Sequence, residues 1–173
     1  MANSRILVVH YSRTGTTRKV AELLAAQLRC DSEAIVEERD RSGMLGYLRS
    51  LLEARRQVPS RIAAAVKDPL IYDLVVIGTP VWAWSLSSPV RAYLLANKSR
   101  LPAVAFFCTL GGAGSDRAFG QMQEITGKRP IGYLSVTARE VASDAYQLPV
   151  AKFAQSLQRE LAGQPEGTAA NAT

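Results

Sequence analysis

Short apolar runs alternate along this chain with longer stretches whose apolar residues recur at helical spacing, and that alternation admits few folds. The runs at 6–11 (ILVVHY), 73–78 (DLVVIG) and 103–108 (AVAFFC) are short and rich in β-branched or aromatic side chains. Such near-continuous runs read as strands of a parallel sheet covered on both faces. A strand with one wet face would alternate apolar and polar residues instead.

Between these runs the period changes. Val20, Leu23, Leu24 and Leu28 share one helical face after the first run. Residues 32–38 predict a second strand, with Ala34 and Val36 alternating against charges and Ile35 on the opposite face. Residues 44–57 return to helical spacing through Met44, Leu45, Leu48, Leu51 and Leu52, and Pro59 ends that helix. Residues 62–66 read as another helical turn. Ser87 or Ser88 is expected to cap a helix with Pro89 at its first position, carrying Val90, Tyr93, Leu94 and Ala96. Asp116 is expected to cap a helix that runs to about Thr126. Residues 131–136 form the fifth predicted strand. Pro149 opens a last helix, with Val150, Phe153, Leu157 and Leu161 on one face.

Five strands alternating with helices predict an α/β three-layer sandwich around a five-stranded parallel sheet. Right-handed crossovers restrict the topology. The order 2-1-3-4-5 places a switch point between strands 1 and 3, where ligands bind beyond the carboxyl ends of the strands. With 173 residues and no repeat or linker, one domain is expected over 1–163, followed by a small, polar, disordered tail over 164–173.

Composition excludes several functions. Cys30 and Cys108 are far apart and read as reduced thiols of a cytoplasmic protein. Together with the lone His10 they cannot supply the four ligands of a usual zinc site, so no metal is expected. The start of the chain lacks the pattern of a signal peptide, and no apolar stretch reaches the ~20 residues of a transmembrane segment. A serine hydrolase is disfavoured, because no GxSxG elbow exists and one histidine is available. A phospho-receiver would need an aspartate where strand 3 ends in Gly78, Thr79 and Pro80.

The net charge is +6, and Arg49, Arg55, Arg56, Arg61 and Lys67 form the densest basic region, opposed by Glu53. That region is either a solvated face or a docking site for an acidic protein. It lacks interleaved aromatic residues, so no nucleic-acid partner is expected.

The chemistry concentrates in three loops that leave strands 1, 3 and 4 on one rim. Residues 12–17 are SRTGTT and precede a helix, where unpaired N–H groups and the dipole suit a phosphate. Gly15 permits close backbone approach, and Ser12, Thr14, Thr16 and Thr17 offer hydroxyls. The alternative for this loop is an N-cap with turn residues. The GxxxxGK[ST] and GxGxxG patterns are absent, which argues against nucleoside triphosphates and dinucleotides. Residues 79–87 hold Pro80, Trp82 and Trp84, flat apolar faces for a planar ring, although at least one indole is expected to pack under the loop. Residues 109–115 hold Gly111, Gly112 and Gly114, either a cradle of free N–H groups or a plain flexible turn. His10 is expected to be packed and hydrogen-bonded at the end of strand 1, or in contact with the site from behind. Cys108 is expected to be a buried strand residue.

The ordered set SRTGTT, DLVVIGTPVWAWSLSSPVRAYL and AFFCTLGGAG resembles the flavodoxin family over nearly the whole chain up to the last helix. The resemblance implies a flavodoxin-like fold and non-covalent FMN. It implies that Ser12, Arg13, Thr14, Gly15, Thr16 and Thr17 hold the phosphate. It implies that Pro80, Val81, Trp82, Ala83 and Trp84, with Thr109, Leu110, Gly111, Gly112 and Gly114, flank the isoalloxazine. The chain is basic, whereas carrier flavodoxins are strongly acidic. Positive surroundings favour the anionic reduced flavin by Coulomb's law. An FMN-dependent oxidoreductase is therefore expected, with chemistry on the flavin rather than on a catalytic side chain. NAD(P)H or a redox protein would donate electrons, and a small molecule or a protein would accept them. The alternatives are a one-electron carrier docking with a redox protein and a cofactor-free binding module. The oligomeric state is not legible.

Overall fold

A computed structural model of the chain describes residues 4–38 and 59–163. The elements are β1 (Ile6–His10), α1 (Thr16–Leu28), β2 (Asp31–Ala34), a 3-10 turn (Pro69–Ile71), β3 (Leu74–Trp82) and β4 (Ser85–Leu86). They continue with α2 (Ser88–Asn97), β5 (Ala103–Leu110), α3 (Ser115–Thr126), β6 (Tyr133–Thr137), α4 (Ala138–Ala142) and α5 (Gln147–Gly163). The sheet order is β2-β1-β3-β5-β6, with every pair along that path parallel. Counting only these five strands, the order is the expected 2-1-3-4-5. The short β4 is an addition that pairs antiparallel with the end of β3.

The alternation within each strand builds two cores. Ile6, Val8, Leu74, Val76, Ala105 and Phe107 face α1 and α5, where they meet Val20, Leu24, Phe153 and Leu157. Leu7, Val9, Val75, Ile77, Val104 and Phe106 face α2 and α3, where they meet Val90, Leu94, Ala118 and Met122. Each fully buried Val, Leu, Ile, Phe or Met side chain contributes about 1.5–3 kcal/mol, and burial on both faces explains the near-continuous apolar runs. Gly78 has a specific duty in β3. A Cβ at this position would lie 2.0 Å from Cζ of Phe107, so the Phe107 ring fills the space that any other residue would claim.

Several local expectations change. Residues 62–66 are not helical. Ile62 bridges antiparallel to Glu37, and the Glu33 carboxylate accepts from the N–H groups of Val66 and Lys67 at 2.7 and 3.0 Å. Those bonds occupy donors that a helical turn would have used. Strand β2 stops at Ala34 rather than residue 38. The N-cap of α3 is Gly114, and Asp116 sits in the first turn instead. Ser87 is the N-cap of α2, but its hydroxyl accepts from Thr79 Oγ1 at 3.1 Å and caps nothing. Helix α5 begins at Gln147, with Pro149 inside its first turn, where a missing N–H costs no helical bond. Helix α4 was not expected. Thr137 and Glu140 form a reciprocal capping box at its start, so the T-x-x-E spacing was its available signal. The expected helix over 44–57 and the tail over 164–173 lie outside the described residues.

Candidate functional site

Parallel pairing of β1, β3 and β5 brings their carboxyl ends to one rim. After β1 the chain turns through residues 11–15 into α1. Gly15 is the N-cap, with φ 92, and no side chain caps the helix. The Gly15 N–H instead donates to Ser12 Oγ at 3.1 Å, which closes the loop on itself. The N-terminal end of α1 is thus left to another acceptor, with the positive end of its dipole at the rim. Thr14 is exposed, while Ser12, Arg13 and Thr16 are half-buried. Thr17 differs from these. It is 2% exposed, and its Oγ1 lies 2.7 Å from Thr109 Oγ1, tying the start of α1 to the end of β5.

The second segment is a hairpin rather than an open loop. Strand β3 runs on through Trp82 and returns as β4, pairing Val81 with Leu86 and Trp82 with Ser85. Its two-residue tip has φ 48 at Ala83 and φ 58 at Trp84. Two positive φ values suit the twist of a tight hairpin, but such tips usually take Asn-Gly. Left-handed backbone at a residue other than glycine costs about 1–3 kcal/mol and persists only when its surroundings impose it. Gln121 supplies part of that constraint: its Oε1 accepts from Ser85 Oγ at 2.8 Å and from Leu86 N–H at 3.0 Å. Thr79 supplies another part, its Oγ1 accepting from the Ser87 N–H at 3.0 Å. The two indoles part company. Trp82 packs edge-on against Tyr11, with ring centroids 5.7 Å apart, and Tyr11 Oη donates to Glu37 Oε2 at 2.6 Å. Trp84 projects outward and is 62% exposed. Pro80, Val81 and Ala83 are half-buried.

The third segment follows β5, which extends through Thr109 and Leu110. Both are buried strand residues rather than loop residues. Gly111, Gly112 and Ala113 are exposed, and a Cβ at either glycine would meet nothing within 4 Å. Gly114 has φ 106, and a Cβ there would lie 2.9 Å from Trp84 Cα. This loop therefore rests directly on the hairpin tip. All three segments form one connected rim.

Two groups lie just behind it. His10, the last residue of β1, is 4% exposed, and its Nδ1 has no hydrogen-bond partner. It is packed as expected, but the expected hydrogen bond is missing at that nitrogen. Burial, with a smaller effect of Arg18, holds its pKa below the ordinary histidine value, against a raising effect of Glu22. Cys108 is fully buried in β5, and burial pushes its thiol up to about 12. Among the described residues, no cluster of three or more His, Cys, Asp or Glu side chains could hold a metal ion.

A model of the flavodoxin family matches residues 5–130, which takes in all three segments. The chain belongs to the flavodoxin family. No curated protein matches it. Among solved structures, the flavoprotein of Lactobacillus acidophilus NCFM in complex with FMN is 24% identical, over 81% of this chain and 97% of that one, with a TM-score of 0.68. The apo-form of the flavoprotein from the same organism is 26% identical, over 82% and 97%, with a TM-score of 0.56. Oxidised flavodoxin 1 of Bacillus cereus is 13% identical, over 90% and 98%, with a TM-score of 0.55.

Within this member of the flavodoxin family, the residues that the sequence did not point to are those that brace the rim from behind. Tyr11 backs Trp82, Gln121 clamps β4, and Thr79 holds the start of α2. Gln121 had no readable signal, since a glutamine on a helix is ordinarily a surface residue. An open groove of about 830 Å³, lined by Arg5, Arg29, Asp31 and Tyr72 among others, opens at the far end of the sheet, away from these segments. Among the described residues, no helix is long and apolar enough to cross a membrane.

Proposed function

We propose that this protein binds FMN non-covalently and serves as a cytoplasmic flavin-dependent oxidoreductase. The observation that carries the reading is the uncapped, glycine-led start of α1 on the same connected rim as the outward Trp84 and the open Gly111–Gly112 backbone. One end suits a phosphate and the other a flat ring. In this reading Ser12, Arg13, Thr14, Gly15 and Thr16 hold the phosphate through N–H groups and hydroxyls, and Thr17 holds the loop in place through Thr109. Trp84 covers one face of the isoalloxazine. Pro80, Val81, Trp82 and Ala83 form the hairpin arm and tip that carry that indole, while Leu110, Gly111, Gly112 and Gly114 present backbone to the ring edge. Bound FMN supplies the electron- or hydride-transfer chemistry, and the chain binds it, orients it and sets its electrostatic surroundings.

The net charge of +6 favours an enzyme over a low-potential carrier, because positive surroundings stabilise the anionic reduced flavin. NAD(P)H or a redox protein is the electron donor in this reading, and a small molecule or a protein is the acceptor. The first test is the visible spectrum of the purified protein before and after FMN is added. A co-purifying flavin band, or FMN fluorescence quenched on titration, supports the reading. Thr14→Ala combined with Thr16→Ala is expected to weaken binding. Absence of FMN binding at micromolar concentration would leave the fold intact and refute the function. Steady NAD(P)H turnover with the loaded protein then separates enzyme from carrier.

A further inference from the structure

His10 is the one histidine of the sequence, and the site as proposed leaves it without a role. It ends β1 two residues before Ser12, a separation of at most about 7 Å along the chain. By strand alternation its ring shares a face with Ile6 and Val8, so it lies under α1, the helix whose start forms the phosphate loop. Its strand neighbours are Ala34 on β2 and Gly78 on β3, which carry no charge. The charged groups that act on it, Glu22 and Arg18, both belong to α1. Arg18 also pairs with Glu22 at 3.8 Å, which divides the carboxylate's influence between two cations. The ring is thus buried, with its Nδ1 lacking a hydrogen-bond partner, just behind the loop that would take a dianion.

We propose that His10 couples phosphate binding at residues 12–17 to the uptake of one proton at its imidazole. The inference rests on the reading of that loop as the phosphate site. With the loop empty, burial keeps the imidazole neutral at neutral pH. A dianion in the loop stabilises the imidazolium, so FMN and the proton each bind more tightly in the presence of the other. A charge of −2 at a separation of about 8 Å multiplies the proton affinity about 5-fold even at the dielectric of bulk water, about 80, and by more at the lower effective dielectric around a buried ring. By linkage, FMN affinity gains up to the same factor. The gain is fully present below the pKa of the ligand-free protein and vanishes as pH rises through the pKa of the complex. His10 is then a positioning residue for the phosphate end, acting through charge rather than contact.

A single histidine makes the test direct, because one imidazole C2–H signal reports its protonation by proton NMR. The midpoint of that signal is followed from about pH 4.5 to 8.5 for the protein alone, with FMN, and with riboflavin, which lacks the phosphate. The expected result is an upward shift with FMN and none with riboflavin. The second measurement is the FMN dissociation constant at pH 8 and pH 5.5 for the parent and for His10→Asn. The phosphate's own second ionisation, near pH 6, weakens both proteins alike at low pH, so the ratio between them isolates the histidine. The parent is expected to gain affinity over the variant on acidification, reaching about 5-fold or more once the pH lies below the midpoint of the ligand-free protein. Equal midpoints with FMN and riboflavin, or parallel pH profiles for parent and variant, would overturn the coupling while leaving FMN binding in place. Failure of FMN to bind at any pH would remove the phosphate reading and this inference with it.

Discussion

Thr17 and Thr109 join two of the three rim segments through one hydroxyl pair, 2.7 Å apart, with the residues 2% and 3% exposed. Valine has the shape of threonine without the hydroxyl, so Thr17→Val deletes one partner and leaves Thr109 Oγ1 buried without it. A stranded buried hydroxyl costs about 1–3 kcal/mol, and Thr109→Val is expected to cost the same for the same reason. Changing both residues strands nothing, because two apolar groups of matching shape replace the pair. The double variant is therefore expected to lie within about 1 kcal/mol of the parent, although additivity would predict a loss of about 2–6 kcal/mol. Urea unfolding of the four proteins measures this cycle, provided the slopes agree so that midpoints report stability. The same proteins are then titrated with FMN. If the pair serves as a brace, the double variant binds close to the parent value. Additive stability losses would refute the bridge as a coupled pair. An affinity lost in Thr17→Val and not recovered in the double variant would place the Thr17 hydroxyl on the phosphate instead.

Other consequences can be checked separately. Trp84→Ala is expected to weaken FMN binding with little change in the urea midpoint, since Trp84 is 62% exposed, whereas Trp82→Ala should also cost stability by removing the packing on Tyr11. Arg91 is 6% exposed, and its Nε and Nη2 have no acceptor, so Arg91→Met is expected to be neutral or stabilising by about 1 kcal/mol in urea unfolding. Burial pushes the thiols of Cys30 and Cys108 up to about 11 and about 12, so little thiolate forms at pH 8. Both should react slowly with a disulfide reagent in the native protein and rapidly in denaturant.

The central strands were legible because a sheet buried on both faces leaves an unmistakable apolar run, and Asp73–Gly78 and Ala103–Cys108 carry little else. The rim was legible in outline, because Gly15 and the polar residues around it mark the turn from β1 into α1. What escaped depends on partners distant in sequence. The hairpin at Ala83–Trp84 lacks the Asn-Gly signature, since its left-handed tip is imposed from outside by Gln121 and Gly114 rather than preferred locally. Residues 62–66 have the local spacing of a helical turn, but Glu33 captures two of their N–H groups across a gap of more than thirty residues. Thr17 could not be told from its neighbours in SRTGTT, because only the fold reveals that one of those hydroxyls faces Thr109 rather than the rim.

The fit of Phe107 over Gly78 also constrains the order in which this sequence can change. An alanine at 78 would place its Cβ 2.0 Å from Cζ of Phe107 and 2.4 Å from Cε1, inside a core with no room to yield. A smaller residue at 107 must come first, and that step opens a cavity and costs about 2–5 kcal/mol until the second substitution fills it. Neither position is then free to drift alone, and lineages of this fold should carry either glycine facing a ring or a side chain facing a smaller one.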